Sequence, residues 1–224
     1  MRDARIVVFA YDWVPNFAQG HVRDLRVRWA LEEAGLPYET QLVTHEEKIQ
    51  GPHLARQPFG QIPVMEMDGE TMFESGAIVW TIAEASETLL PKDLTARRRV
   101  MSWFFAALNS VEPPFMTLAW LELFARDKEA AARLKPETIE RFEKRLERLD
   151  AALGEADYLV GDFSAADLMT AAVLRPAHDT GLFERFPRLA RYIARCECRP
   201  GFQKALADQL EPFQENAERY GSAA

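Results

Sequence analysis

Neither serine nor cysteine occurs in residues 1 to 74, and the whole chain of 224 residues holds only two cysteines and four histidines. That opening third therefore offers no thiol and no serine hydroxyl as a nucleophile. Cys196 and Cys198 stand as Cys-x-Cys in a helical pattern. Such spacing turns the side chains about 200° apart, so neither a disulfide nor a zinc pair is expected. His21, His45, His53 and His178 show no ligand spacing, so no metal site is expected either.

Positive charge is also scarce. With 27 Lys and Arg against 35 Asp and Glu, the net charge is -8, which argues against a nucleic-acid or anionic-membrane surface. Arg97-Arg98-Arg99 is a short basic run, and on a helix its side chains splay around the axis onto a solvated face. No apolar run approaches the roughly 20 residues that span a bilayer. The start, MRDARIVVFAYDWVP, has too short an apolar core for a leader and no cleavage-like site. A cytoplasmic protein is expected.

What is present suits a folded chain of two domains, with 48% hydrophobic and 28% charged residues. Residues 5–11, RIVVFAY, are almost wholly apolar and predict a strand covered on both faces, central in its sheet. Residues 12–22 form a loop rich in breakers. Leu25, Val27, Trp29, Ala30, Leu31 and Ala34 then ride a helix ended by Gly35, and residues 38–43 form a second strand.

Residues 58–84, PFGQIPVMEMDGETMFESGAIVWTIAE, are the most informative stretch. Pro58 and Gly60 punctuate a loop, and Pro63 belongs at the first residue of a strand, where its missing N–H is tolerated. Asp68-Gly69 predicts a hairpin between residues 64–67 and 71–73. After Glu74 the period becomes helical through Ala77, Ile78, Ile82 and Ala83, with Ser75 at the N-cap. A helix start holds a carboxylate readily, and Glu74 beside it can hold an ammonium, so the pair suits an α-amino acid group.

Beyond a linker at residues 87–93 no convincing strand is found, and the second domain reads as helical. Val100, Trp103, Phe104, Ala107, Leu108 and Val111 form a stripe interrupted by Pro113-Pro114, which predicts a kinked or broken helix resuming at Phe115. Pro136 suits a helix N1 position ahead of the stripe Ile139, Phe142, Leu146, Leu149 and Leu153. Ser164 and Asp167 predict a capping box, with Phe163 and Leu168 as its hydrophobic staple.

Together these motifs resemble the soluble glutathione transferases. Gln57-Pro58-Phe59-Gly60-Gln61-Ile62-Pro63 stands where that family carries Asn-Pro-x-Gly-x-Val-Pro, with Gln57 replacing the usual Asn, and Glu74-Ser75-Gly76-Ala77-Ile78 matches its Glu/Gln-Ser-x-Ala-Ile. Leu36-Pro37-Tyr38-Glu39, the stretch from Tyr158 to Leu168, and Arg199-Pro200-Gly201-Phe202 extend the resemblance over residues 5–210. It implies an α/β thioredoxin-like domain at 1–86, a linker at 87–93 and an all-α domain at 94–224. It also implies a cis Pro63, with the Ile62 backbone pairing with the cysteinyl part of glutathione like an added strand. Glu74 and Ser75 would hold the γ-glutamyl end, Gln61 would flank it, and Gln50 is the residue that aligns best for the glycine end, with Lys48 and His53 as alternatives.

Such enzymes stabilise the thiolate of bound glutathione, lowering a pKa of about 8.5 toward roughly 6 to 7, so that it attacks an electrophile. Their donor is a Tyr or Ser near the end of the first strand, or a Cys that forms mixed disulfides. With no Ser or Cys there, disulfide chemistry is not expected, and Tyr11 is the hydroxyl in the right place. Asn16, His21 and backbone N–H groups are the alternatives, with Trp13 walling the site. By the resemblance, Trp13, Phe17, Phe104, Leu108, Phe115 and Trp120 are candidates to line an apolar pocket for a hydrophobic electrophile. The resemblance implies glutathione as co-substrate, no metal, a homodimer, and conjugation or peroxide reduction. The alternative is a non-catalytic glutathione-binding or protein-interaction module of the same fold.

Overall fold

A computed structural model describes residues 1 and 4–221, the side chain of residue 179 excepted. Two compact units emerge: residues up to Leu90 together with those from Cys198 onward, and Pro91–Glu197 between them. The last helices pack with the first unit and not with the helical domain expected from residue 94 onward.

In the first unit, β1 (Ile6–Tyr11), β2 (Glu39–Val43), β3 (Val64–Met67) and β4 (Glu70–Phe73) form a mixed sheet in the order β2-β1-β3-β4. β1 is central, parallel to β2 and antiparallel to β3, as its unbroken apolar run requires. Asp68 and Gly69 take positive φ of 51° and 87° and close a two-residue hairpin, the mirror-image turn whose twist suits the flanking strands.

α1 (Asp24–Ala34) ends on Gly35 at φ 62°, a left-handed cap that glycine adopts without steric cost. It packs against β1, α3 (Ser75–Ala85) and α9 (Pro200–Glu215). A short α2 (Gly51–Arg56) lies on the other face, where its Arg56 guanidinium covers the Phe9 ring at 4.7 Å. Its six residues are too few to show a helical period in the sequence.

Two clusters hold α9 to α1. In the first, Asp24 accepts from Arg28 Nε at 2.8 Å and from Gln209 Nε2 at 2.6 Å, and Arg28 Nη1 donates to Thr40 Oγ1 at 3.1 Å. Asp24, Arg28 and Gln209 are all buried. In the second, Arg199 grips Glu33 through two bonds of 2.7 Å, while Trp29 meets Phe202 edge to face at 4.9 Å. A short α10 (Ala217–Tyr220) follows.

The second unit comprises α4 (Leu94–Ala106), α5 (Glu112–Leu123), α6 (Lys128–Leu153), α7 (Ala165–Leu174) and α8 (Pro187–Glu197). The long helix is interrupted by a π-helical turn at Ala107–Val111, and Pro113-Pro114 stand in the first turn of α5, which resumes at Glu112 and not at Phe115. Pro136 does not begin a helix but lies inside α6. Its ring deletes one rung of the ladder, and the flanking 26-residue helix continues because Phe142, Leu146, Leu149 and Leu153 bury one face.

α7 is apolar all round and buried, and its start carries the expected capping box. Asp167 accepts from Leu159 N at 2.8 Å, Ser164 N at 3.0 Å, Ser164 Oγ at 2.8 Å and Tyr192 Oη at 3.0 Å. This one carboxylate joins the preceding loop, α7 and α8.

Two stability predictions follow from these joints. Asp167→Ala strands several buried donors and is expected to cost about 3 kcal/mol or more, against about 1 kcal/mol for Ser164→Ala. Urea titration checks the ranking, and equal losses would contradict it. Arg199→Ala leaves the buried Glu33 carboxylate without its guanidinium and is expected to cost about 2 kcal/mol. Hydrogen exchange along α9 should quicken in that variant, and unchanged protection would show that the pair does not anchor the helix.

Candidate functional site

The loop ahead of β3 is fixed from within. Gln57 is buried, its Oε1 accepts from Phe59 N at 2.5 Å, and its Nε2 donates to Gln61 Oε1 at 3.4 Å. His53 Nε2 meets the Gln61 carbonyl at 2.9 Å. Gly60 takes φ 61°, and a Cβ there would meet the Lys48 carbonyl at 3.2 Å. The chain thus enters the cis peptide between Ile62 and Pro63 in one position. No described residue bonds to the Ile62 backbone N–H or C=O, so both remain available to a ligand.

Glu74 stands beside it at φ 69°, ψ 112°, a conformation costing a side-chain-bearing residue on the order of 1–3 kcal/mol. The strain ends β4 and starts α3 within one residue. Glu74 is consequently the N-cap, and Ser75 is the first helical residue rather than the cap expected from the sequence. The Ile78 N–H is the first to find its partner, Glu74 O at 3.0 Å. The N–H groups before it point outward with the positive end of the helix dipole.

A shallow recess gathers Gln61, Ile62, Pro63, Glu74 and Ser75, and adds Gln57 and Arg23. Behind it, Arg26 Nη1 reaches Ser75 Oγ at 3.5 Å. The spacing of Arg23 and Arg26 at the start of α1 places both on one helical face, and Arg26 is the residue here that no sequence motif marks. The Glu74 carboxylate makes no ion pair among the described residues. Cationic, anionic and hydrogen-bonding groups therefore converge within one recess, as a zwitterion requires.

Gln50 and Tyr11 lie outside it. Gln50 lines a separate cavity of 260 Å³ with Phe9, His53 and Arg56. Tyr11 is half-buried against the cluster of Phe9, Val43, Ile62 and Val64. Its ring stacks on His45 at 4.5 Å and faces Lys48 Nζ at 5.5 Å. Burial, with help from the Lys48 charge, lowers the pKa of His45 below the ordinary imidazole value. Asn16 is exposed and accepts from Gln19 Nε2 at 3.3 Å, and His21 is half-buried.

The loop after β1 is tied down by the chain's end. Asp12 is buried and accepts from Tyr220 Oη at 2.5 Å, Asn216 Nδ2 donates to the Asp12 carbonyl at 3.3 Å, and Trp13 stacks on Tyr220 at 4.9 Å. Of the residues expected to line an apolar pocket, Trp13, Phe104 and Phe115 are buried, Leu108 is half-buried, and Phe17 and Trp120 are exposed. Among the described residues no cluster of His, Cys, Asp or Glu is arranged to hold a metal ion, and no helix is long and apolar enough to cross a membrane.

Residues 25–85 match the family profile of the glutathione S-transferase N-terminal domain, and residues 114–209 that of its C-terminal domain. Glutathione S-transferase 4 of Zea mays is 30% identical over 189 residues, spanning 80% of this chain and 85% of the relative. Glutathione S-transferase A3 of Mus musculus is 28% identical over 207 residues, spanning 89% and 91%. A glutathione transferase from Burkholderia graminis, solved with two glutathione molecules per subunit, superposes with a TM-score of 0.78 at 25% identity over 90% of this chain and 87% of that one. With the mixed four-stranded sheet and the helical second unit described above, these matches show that the chain belongs to the glutathione S-transferase family.

Proposed function

We propose that this chain binds glutathione in the recess at Ile62, Glu74 and Ser75 and activates its thiol for attack on a hydrophobic electrophile. The observation carrying the reading is the unpaired Ile62 backbone beside a helix start flanked by Glu74 and Arg23. An extended cysteinyl residue pairs with Ile62 as a short added strand. The γ-glutamyl carboxylate meets the α3 N–H groups and Ser75, its ammonium meets Glu74, and Gln61 and Pro63 wall the recess.

The chemistry needs the thiol proton to leave and the sulfur lone pair to be held until it forms a bond to the electrophilic carbon, expelling the leaving group. Tyr11 is the donor we assign, its hydroxyl hydrogen bonding to the thiolate and holding its negative charge. Gln50, with Lys48, serves the glycine carboxylate from the start of α2. Peroxide reduction by the same thiolate is the second reaction within reach, and a homodimer in the cytoplasm is the proposed setting.

One observation favours a second reading. Tyr11 lies outside the recess and stacks on His45, which suits a glutathione-binding module without turnover. Retention on immobilised glutathione, run beside turnover of a chloronitroaromatic substrate, separates the two. Retention with turnover is expected, retention without turnover across several electrophiles would select the module, and failure of both would overturn the proposal.

Two variants test the residues. Ser75→Ala is expected to weaken glutathione binding about tenfold through the loss of one hydrogen bond to a charged group, read by calorimetry. Tyr11→Phe is expected to raise the pKa of the bound thiol by about one unit or more and to lower kcat by roughly 100-fold, read from the thiolate ultraviolet absorbance and initial rates. An unmoved thiol pKa would remove Tyr11 from the mechanism.

A further inference from the structure

β2 is the outermost strand on its side of the sheet. The Asp12 N–H donates to the Val43 carbonyl at 3.2 Å, so Val43 turns its backbone groups toward β1. In a strand the N–H and C=O of one residue point the same way and those of its neighbours the other way. Glu39 and Gln41 therefore also face β1, while Thr40 and Leu42 turn their N–H and C=O outward. No described residue bonds to them.

Exposed edges are commonly blunted by proline, lysine or a bulge. β2 has none of these between Glu39 and Val43, and its register with β1 runs unbroken. The strand offers a straight edge that is open to pairing.

A cavity lies on each face of that edge. On the side of α1 and α9, one of 660 Å³ is lined by Thr40 and Leu42 together with Tyr38 and Pro212. On the side of α2, the cavity of 260 Å³ is lined by Gln41, Val43 and the edge residue Leu42, which borders both cavities, together with Glu47 and His53. Successive side chains of a strand laid on β2 drop into one and then the other.

The two cavities ask for definite chemistry. The larger carries the carboxylates of Glu32, Asp208, Glu211 and Glu215. Lys204 is held by Glu32 at 3.2 Å and Asp208 at 2.5 Å, and the Arg28 charge is engaged by Asp24. Glu211 and Glu215 have no ion pair among the described residues, which leaves negative charge for a lysine or arginine. In the smaller cavity, His53 donates from Nε2 to the Gln61 carbonyl, so in the neutral ring Nδ1 is an acceptor, and that buried atom has no partner. A hydroxyl or amide N–H satisfies it.

We propose that the β2 edge is a docking site for an extended basic segment of a partner protein. Backbone bonds at Thr40 and Leu42 add the segment to the sheet, lysine or arginine side chains opposite those two residues enter the acidic cavity, and a hydroxyl or amide side chain opposite Gln41 reaches His53. A second copy of this chain is the poorer occupant, since edge-to-edge pairing brings Glu39, Glu211 and Glu215 of two copies together.

The test uses the full chain and a short blocked peptide of alternating lysine and threonine, with the glutamate-for-lysine peptide as control. The lysine peptide is expected to slow amide exchange at Thr40 and Leu42, followed by NMR, and to leave Gln41 and Val43 unchanged. The double variant Glu211→Lys, Glu215→Lys should weaken binding about tenfold without altering retention on glutathione. Leu42→Pro, a substitution that edge strands tolerate, should abolish it.

No added protection at saturating peptide, equal binding of the glutamate peptide, or undiminished binding by the double variant would each overturn the proposal. Concentration-dependent protection of the same amides without peptide would assign the edge to a second copy and overturn it likewise. Should Leu42→Pro fail to fold, the charge-reversal variant decides.

Discussion

The first unit depends on the burial of α1. The helix lies against β1, α3 and α9, so Asp24 and Arg28, at its start and middle, are removed from water. A lone charge in that position would be driven to neutralise or would unfold the helix. Arg28 meets Asp24, Asp24 meets Gln209, and Arg28 meets Thr40, so α1, α9 and β2 are held in one register. Such networks contribute more to uniqueness of arrangement than to net stability, because desolvation offsets most of the Coulomb attraction. Moving α9 by one residue would strand the Gln209 amide and leave Asp24 with Arg28 alone.

That register reaches the recess. Arg23 and Arg26 belong to the same helix, and Arg26 passes under Ser75 at the start of α3. The recess is therefore framed by three separate segments: the loop around Gln57 to Pro63, the strained Glu74 with α3, and the beginning of α1. Two of the three are neighbours in sequence, and this explains why they were legible. Proline, glycine and Asp-Gly act on the backbone within a few residues, so the hairpin, the entry to β3 and the helix after Glu74 are written locally. Ser75 shows the limit of such reading, for the positive φ of Glu74 shifts the cap by one position, and no composition signal marks a strained glutamate.

The discrepancies share a cause. Pro136 lies inside α6 because a long apolar stripe on one face outweighs one missing rung. α9 joins the first unit through Arg199 and Gln209, whose partners Glu33 and Asp24 are 166 and 185 residues away. Tyr220 meets Asp12 and Trp13 by the same kind of remote pairing. Sequence periodicity reports which face of an element is buried and is silent about which element buries it.

By itself the sequence determined the four strands and most of the helices in their order, the central place of β1, the helical character of the second unit, and the Ile62, Glu74 and Ser75 cluster. Each of these rests on rules that operate over one turn or one hairpin. Tertiary structure alone decided that Arg23 joins the recess, that Gln50 and Tyr11 stand apart from it, that α9 closes over α1, and that β2 is left as an open edge between two cavities. Those outcomes depend on which charged side chains find partners across the fold, and a buried charge is matched in space without regard to distance along the chain.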